Sequence, residues 1–345
     1  MTSADYIPSV LIGQAVTSEP GRSRHEWRNQ RSFAAIKSDG SVVSWGSVST
    51  DGGKDVVRFR REGPFQQVFS NRHAFAALRS DGKLITWGNG GRGGEKRDAE
   101  VDLEEGVERV FSTRRSFSAL KSDGSVVSWG QDSEGGDNSL VADQLSSGVV
   151  NLFSTGTSMA ALKSDGSVVT WGLSTQDPRS ASLGGDIDTG SPRGGDSSAV
   201  AEQLNGSVVD IFSSRYAFAA LKNDGEVVAW GDPLRGGDTG NAQRRLKRGV
   251  QSIASTGTSF AALKDNGRVV TWGDPWRGGT TNVVDFHSFH WTLGEDDQEP
   301  EIVASVKKKL RSGVTGIFST RYAYAALKDD GSLVTWGLQK AGGDS

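Results

Sequence analysis

Seven tryptophans, each followed by glycine, fall at Trp45, Trp87, Trp129, Trp171, Trp230, Trp272 and Trp336. The step between them is constant from Trp45 through Trp171 and again from Trp230 to Trp272, and it is longer before Trp230 and before Trp336. A fixed period of this size marks a propeller or solenoid, in which one supersecondary unit is stacked on its own copies. The 345 residues are therefore expected to form one large repeat domain rather than two or three. The basic period is 42, and insertions at 173–199 and 276–303 lengthen it twice.

The copy ending at Trp129 shows what the unit is. Ser116 to Lys121 alternates large and small side chains, Ser122-Asp123-Gly124 reverses the chain, and Ser125 to Trp129 alternates again, which predicts a β-hairpin. The turn ends on glycine in every copy, and a tight hairpin turn wants a positive φ at that position. The residue before the glycine is Asp in six copies and Asn266 in the sixth. Asparagine shapes a turn as aspartate does but cannot act as a base, so these carboxylates are read as turn formers.

A short apolar segment precedes each hairpin, as in Val107 to Phe111 and Val149 to Phe153. Before that come Val141 to Leu145 and Val200 to Leu204, which read as a short outer strand or a single helical turn. Three or four short strands per unit, in seven copies punctuated by glycine, predict an all-β, seven-bladed β-propeller over 27–345. The tryptophan column is then explained by packing, each indole filling the wedge between neighbouring blades. Residues 1–26 form an N-terminal segment, and Ala4 to Val16 are expected to pair against the last blade, since no outer strand can follow Gly342-Gly343-Asp344-Ser345.

The unit Val141-x-x-Gln144-Leu145, Val149-x-x-Leu152-Phe153, Ala161-Leu162, Asp165-Gly166, Val168, Trp171-Gly172 resembles the repeat of the RCC1 superfamily, which also includes a β-lactamase-inhibitor propeller. The resemblance runs over 27–345 and implies the seven-bladed fold. It also suggests one function, regulation of a small GTPase by guanine nucleotide exchange. The family's Gly-x-x-His ahead of Ala-Leu reads here Thr113-x-x-Ser116, Thr155-x-x-Ser158 or Ser214-x-x-Ala217.

In a repeat protein the shared positions build the scaffold, so specificity is sought where copies diverge. One divergent pair follows the inner apolar segment: Gln30-Arg31, Arg72-His73, Arg114-Arg115, Gly156-Thr157, Arg215-Tyr216, Gly257-Thr258 and Arg321-Tyr322. Cyclic symmetry would set these pairs in a ring on one face, with arginine from five of the seven blades. Arginine and tyrosine are enriched at interface hot spots, and the guanidinium fork suits carboxylates. The alternative is a row of solvated turn arginines.

The insertion at 173–199 is rich in Gly, Ser and Asp and reads as a surface loop. That at 276–303 carries Trp276, Phe286, Phe289 and Trp291, aromatics the repeat does not need, which either anchor a partner or tuck against the blades. His287 and His290 beside Asp285 have a spacing that suits metal ligands, but no second cluster completes a shell, so no metal is assigned.

No nucleophile elbow, Walker loop or zinc-protease motif occurs, and neither catalysis nor a cofactor is expected. The absence of cysteine removes disulfides, thiol catalysis and zinc thiolate sites. A net charge of -3 gives no bulk reason to expect nucleic acid. No apolar run is long enough to span a bilayer and the N-terminus lacks a secretory signal, so the chain is expected to be soluble and intracellular, cytoplasmic or organellar. Association with a membrane complex is compatible with this.

The sequence thus points to a non-catalytic protein-binding scaffold. It would act as an adaptor or as a stably bound accessory subunit of a larger assembly, an organellar one included, and its partner would present an acidic contact surface. The alternative is the GTPase regulator that the resemblance suggests.

Overall fold

The computed structural model describes residues 11–12, 29, 32–46, 56–59, 63–173, 194–279 and 306–343. Each copy of the repeat forms one antiparallel sheet, one four-stranded and six three-stranded. The third is typical: Val107–Ser112 pairs with Ser116–Lys121, which pairs with Val126–Gly130. The first strand carries a register shift between Val107 and Arg109, and the same shift recurs in blades two and four to seven. The fold class is all-β, seven blades of β-propeller type, one from each copy.

Two compact units are distinguished. One, mainly Glu26–Ser164 and Val169–Leu183, holds the first four blades; the other, mainly Gly184–Ser345, holds the last three. In both, the core is divided among neighbouring pairs of blades. Ala76 and Leu78 of blade two meet Val110, Phe117 and Ala119 of blade three in one cluster, and Leu221 and Val227 of blade five meet Ile253 and Phe260 of blade six in another. A blade cannot bury both its faces alone, so each borrows its neighbour's.

The tryptophans act as the repeat requires. The Nε1–H of Trp129 donates to the carbonyl of Gly93 at 3.1 Å, and Trp171, Trp230, Trp272 and Trp336 bond Gly135, Gly194, Gly236 and Gly278 in the same way. Each of these indoles except Trp171 also stacks on the aromatic ring opposite it in its own hairpin, as Trp129 does on Phe117 at 5.4 Å. In blade four that place is taken by Met159. Gly93 must be glycine: its φ is +100° and a Cβ there would lie 2.6 Å from the Phe117 ring. In the first blade the Phe33–Trp45 pair also stacks, yet the two side chains are 61% and 42% exposed.

The turn carboxylates also behave as read. Asp123 accepts from the Ser125 backbone N–H at 2.9 Å and from its hydroxyl at 2.6 Å, bonds that hold the Asp123 carboxyl below the usual carboxylate range. Asn266 accepts from the Arg268 N–H in the same place. The ambiguous segments are 3₁₀ helices, Ser139–Leu145 and Ser198–Leu204, each burying its leucine.

Leu11 and Ile12 pair with Ile36 and Ala35 of the first hairpin; the rest of Ala4 to Val16 lies outside the described residues. Leu11 and Ile12 lie on the edge of Ser32–Ile36 opposite Val42–Gly46, where pairing covers an otherwise open strand edge.

Candidate functional site

The divergent pairs are held by one recurring turn. Its first residue is a small polar side chain, buried in five of the seven copies described, that caps the chain reversal. Asn71 Oδ1 accepts from the N–H groups of His73 and Ala74, both at 2.8 Å. Thr113 Oγ1 accepts from Arg115 and Ser116, and Ser214 Oγ from Tyr216 and Ala217. Thr155, Thr256 and Thr320 repeat the pattern. Such side-chain to backbone bonds fix a loop that has no ladder of its own. The two residues between cap and strand are therefore held by the same bonds in blades two to seven.

Neighbouring turns are also bonded to one another. In the first unit the Arg72 N–H donates to the Arg114 carbonyl at 3.3 Å, and the Arg114 N–H to that of Gly156 at 3.1 Å. In the second, Arg215 donates to Gly257 at 3.1 Å and Gly257 to Arg321 at 2.8 Å. The first members of the pairs thus form a hydrogen-bonded row in each unit, over blades two to four and five to seven. Arg114 adds a side-chain bond from Nε to the Gly156 carbonyl at 3.1 Å. In blade six the position is Gly257, whose added Cβ would stand 3.2 Å from the Arg321 carbonyl, and that blade offers no side chain to the row.

The second members reach into a short helix that follows a Trp-Gly: that of their own blade for His73, Arg115 and Tyr216, and that of the preceding blade for Tyr322. His73 Nδ1 faces Arg92 Nη1 at 3.3 Å. Arg115 Nη1 pairs with Glu134 Oε1 at 3.0 Å, and the glutamate is fully buried. In the second unit the partners change: Tyr216 is flanked by Arg215 at 5.3 Å and Arg235 at 4.6 Å from its ring centroid. Tyr322 is flanked by Arg321 at 5.1 Å and Arg277 at 5.4 Å. Asp232 binds Arg235, and Asp274 binds Arg277 at 2.9 Å, so the outer guanidiniums are held in place.

Of the residues read from the sequence, Arg72, His73, Arg114 and Arg115 come together in the first unit, and Arg215, Tyr216, Arg321 and Tyr322 in the second. Trp276 is 55% exposed and stands beside Arg277 in the helix Pro275–Arg277. Arg31, Phe286, Phe289, Trp291, His287, His290 and Asp285 lie outside the described residues. Three arginines were missed by sequence reasoning: Arg92, Arg235 and Arg277. Each follows its tryptophan at the same short distance and opens an Arg-Gly-Gly triplet, a signal present in the sequence.

The repeat's residues occupy the strands, turns and wedges that the family resemblance implies. These are antiparallel blades of the β-propeller kind, one from each copy of the repeat. No family model and no curated protein sequence matches the chain. Among solved structures, it is similar to Prp20p of Saccharomyces cerevisiae, described with its binding properties to Gsp1p and histones. The identity is 16% and the TM-score 0.39, over 71% of this chain and 70% of that one. The same yeast protein bound to Kap60 gives 15% and 0.37, over 71% and 68%. The ectodomain of the receptor kinase CR4 from Physcomitrella patens gives 14% and 0.39, over 90% and 72%. No helix among the described residues is long and apolar enough to cross a membrane.

Proposed function

We propose that this protein is a non-catalytic binding scaffold whose capped Arg/Tyr turns hold a protein partner through an acidic contact surface. The observation that carries the reading is the pair of arginine–tyrosine–arginine stacks around Tyr216 and Tyr322. Tyrosine supplies contact area at little entropic cost, and Arg215 and Arg321 bring positive charge onto the two rings, the guanidiniums of Arg235 and Arg277 being paired with Asp232 and Asp274. The capped turns and the inter-blade bonds immobilise these groups before binding, so little ordering remains to oppose association. An adaptor and a constitutive accessory subunit use such a surface alike.

The test is affinity capture from the native source with mass spectrometry, comparing the intact chain with a variant carrying Arg72→Ala, Arg114→Ala, Arg215→Ala and Arg321→Ala. The expected result is a stoichiometric partner that the variant loses. Retention of the same partner by the variant overturns the assignment of this surface.

A further inference from the structure

In blades three to seven the segment ahead of the first strand runs through one buried leucine. Leu103, Leu145, Leu204, Leu246 and Leu310 are all at most 2% exposed. These leucines serve the scaffold, so the residues around them are free to differ, and they differ in charge. Around Leu103 stand Asp102, Glu104 and Glu105; around Leu145 stand Gln144, Ser146 and Ser147. Around Leu246 stand Arg244, Arg245, Lys247 and Arg248. Around Leu310 stand Lys308, Lys309 and Arg311, with Lys307 one position earlier.

The two basic runs occupy the same place in consecutive blades. The Leu246 carbonyl accepts from the Val227 N–H at 2.9 Å, and the Leu310 carbonyl from the Val269 N–H at 2.9 Å. Arg268 immediately precedes Val269 and so stands beside the second run. Lys264 donates from Nζ to the Arg245 carbonyl at 2.6 Å, tying its own charge to the first. After burial, the neighbouring Arg248 and Arg268 push the Lys264 ammonium to a lower pKa against the opposing pull of Asp265, and Arg268 acts likewise on Arg245. Lys247 meets a carboxylate, Glu226, at 3.4 Å. The surface carries more positive charge than its neighbouring acids offset.

We infer that these two basic runs, bridged by Arg268, bind a polynucleotide through its phosphate backbone without reading its bases. Three observations select this ligand. The sole apolar side chain in 243–249 and in 307–312 is the leucine turned into the core. Neither run therefore has an anchor for a peptide hot spot or an insertion into a bilayer. No aromatic side chain stands in either run to stack a base, whereas cations alone suffice for phosphate contact driven by counterion release. Finally, Lys264 ends the strand Ser259–Lys264, whose other end adjoins the capped Thr258 turn. The strip thus lies at the opposite end of the blade from the Arg/Tyr turns and does not depend on their role. Net charge conceals it, because over the whole chain 42 acidic residues outnumber 39 lysines and arginines.

The test is fluorescence anisotropy of the full chain with a labelled single-stranded RNA and a labelled DNA duplex, each of about 20 nucleotides per strand, across about 50 to 200 mM salt. The variant places the fourth blade's own residues in the runs: Arg245→Gln, Lys247→Ser, Arg248→Ser, Lys309→Gln and Arg311→Ser. Those residues already support a folded blade, and a circular dichroism melt checks that they do so here. Where that variant melts early, the pair Lys247→Ser and Arg248→Ser replaces it. Binding is expected to weaken steeply with salt, and the five-residue variant to lose at least about tenfold in affinity with a flatter salt slope. Binding of both probes supports backbone recognition, and preference for one names the source. Arg72→Ala with Arg114→Ala is expected to leave this binding unchanged. The inference is overturned if neither probe binds at the lowest salt, if the folded variant binds equally well, or if phosphatidylserine vesicles bind where both polynucleotides fail.

Discussion

Blades three and five solve one positional problem in opposite ways. In blade three the turn supplies the cation, Arg115, and the short helix supplies the anion, Glu134, which is fully buried. In blade five the helix supplies both, Asp232 and Arg235, and the turn is free to present Tyr216. In both blades a fully buried carboxylate is neutralised by a guanidinium, and in blade five that guanidinium also lies over Tyr216. The lesson is that a cation at a divergent position is not by itself a binding residue: its value depends on what the short helix beyond the tryptophan requires of it.

That contrast predicts unequal costs. Arg115→Ala leaves Glu134 buried without its guanidinium and is expected to cost about 3 kcal/mol, read as a lower urea midpoint. A loss under about 1 kcal/mol would place Arg115 with the solvated surface arginines instead. Arg235→Ala is the milder change, because Asp232 keeps its bond from the Leu234 N–H at 3.0 Å. It is expected to cost about 1 to 2 kcal/mol in the same measurement, and to loosen Tyr216, seen as a shift in its ring resonances. If the two substitutions cost the same, the distinction between the blades fails.

The blades themselves were legible in the sequence because every copy had to solve the same packing problem with the same side chains. Trp129, Gly124 and Asp123 each have one role that geometry enforces, so their recurrence gave away both strand and turn. The pairing of Leu11 with Ile36 was not legible, since a single short strand carries no period. Nor was the link from Tyr216 to Arg235. It spans a strand, a turn and a second strand, and only the folded hairpin shows that the chain returns to the place it left. The basic runs around Leu246 and Leu310 were overlooked for a different reason: a charge summed over the chain cannot report where the charge stands.

The account stands on the claim that the tyrosine stacks, rather than the arginines alone, form the contact surface. It is tested most directly by titrating the captured partner, by calorimetry, into the intact chain and into a variant carrying Tyr216→Ala and Tyr322→Ala. The account predicts that the variant melts within a few degrees of the parent yet binds at least about tenfold more weakly. An unchanged affinity in a folded variant would contradict it.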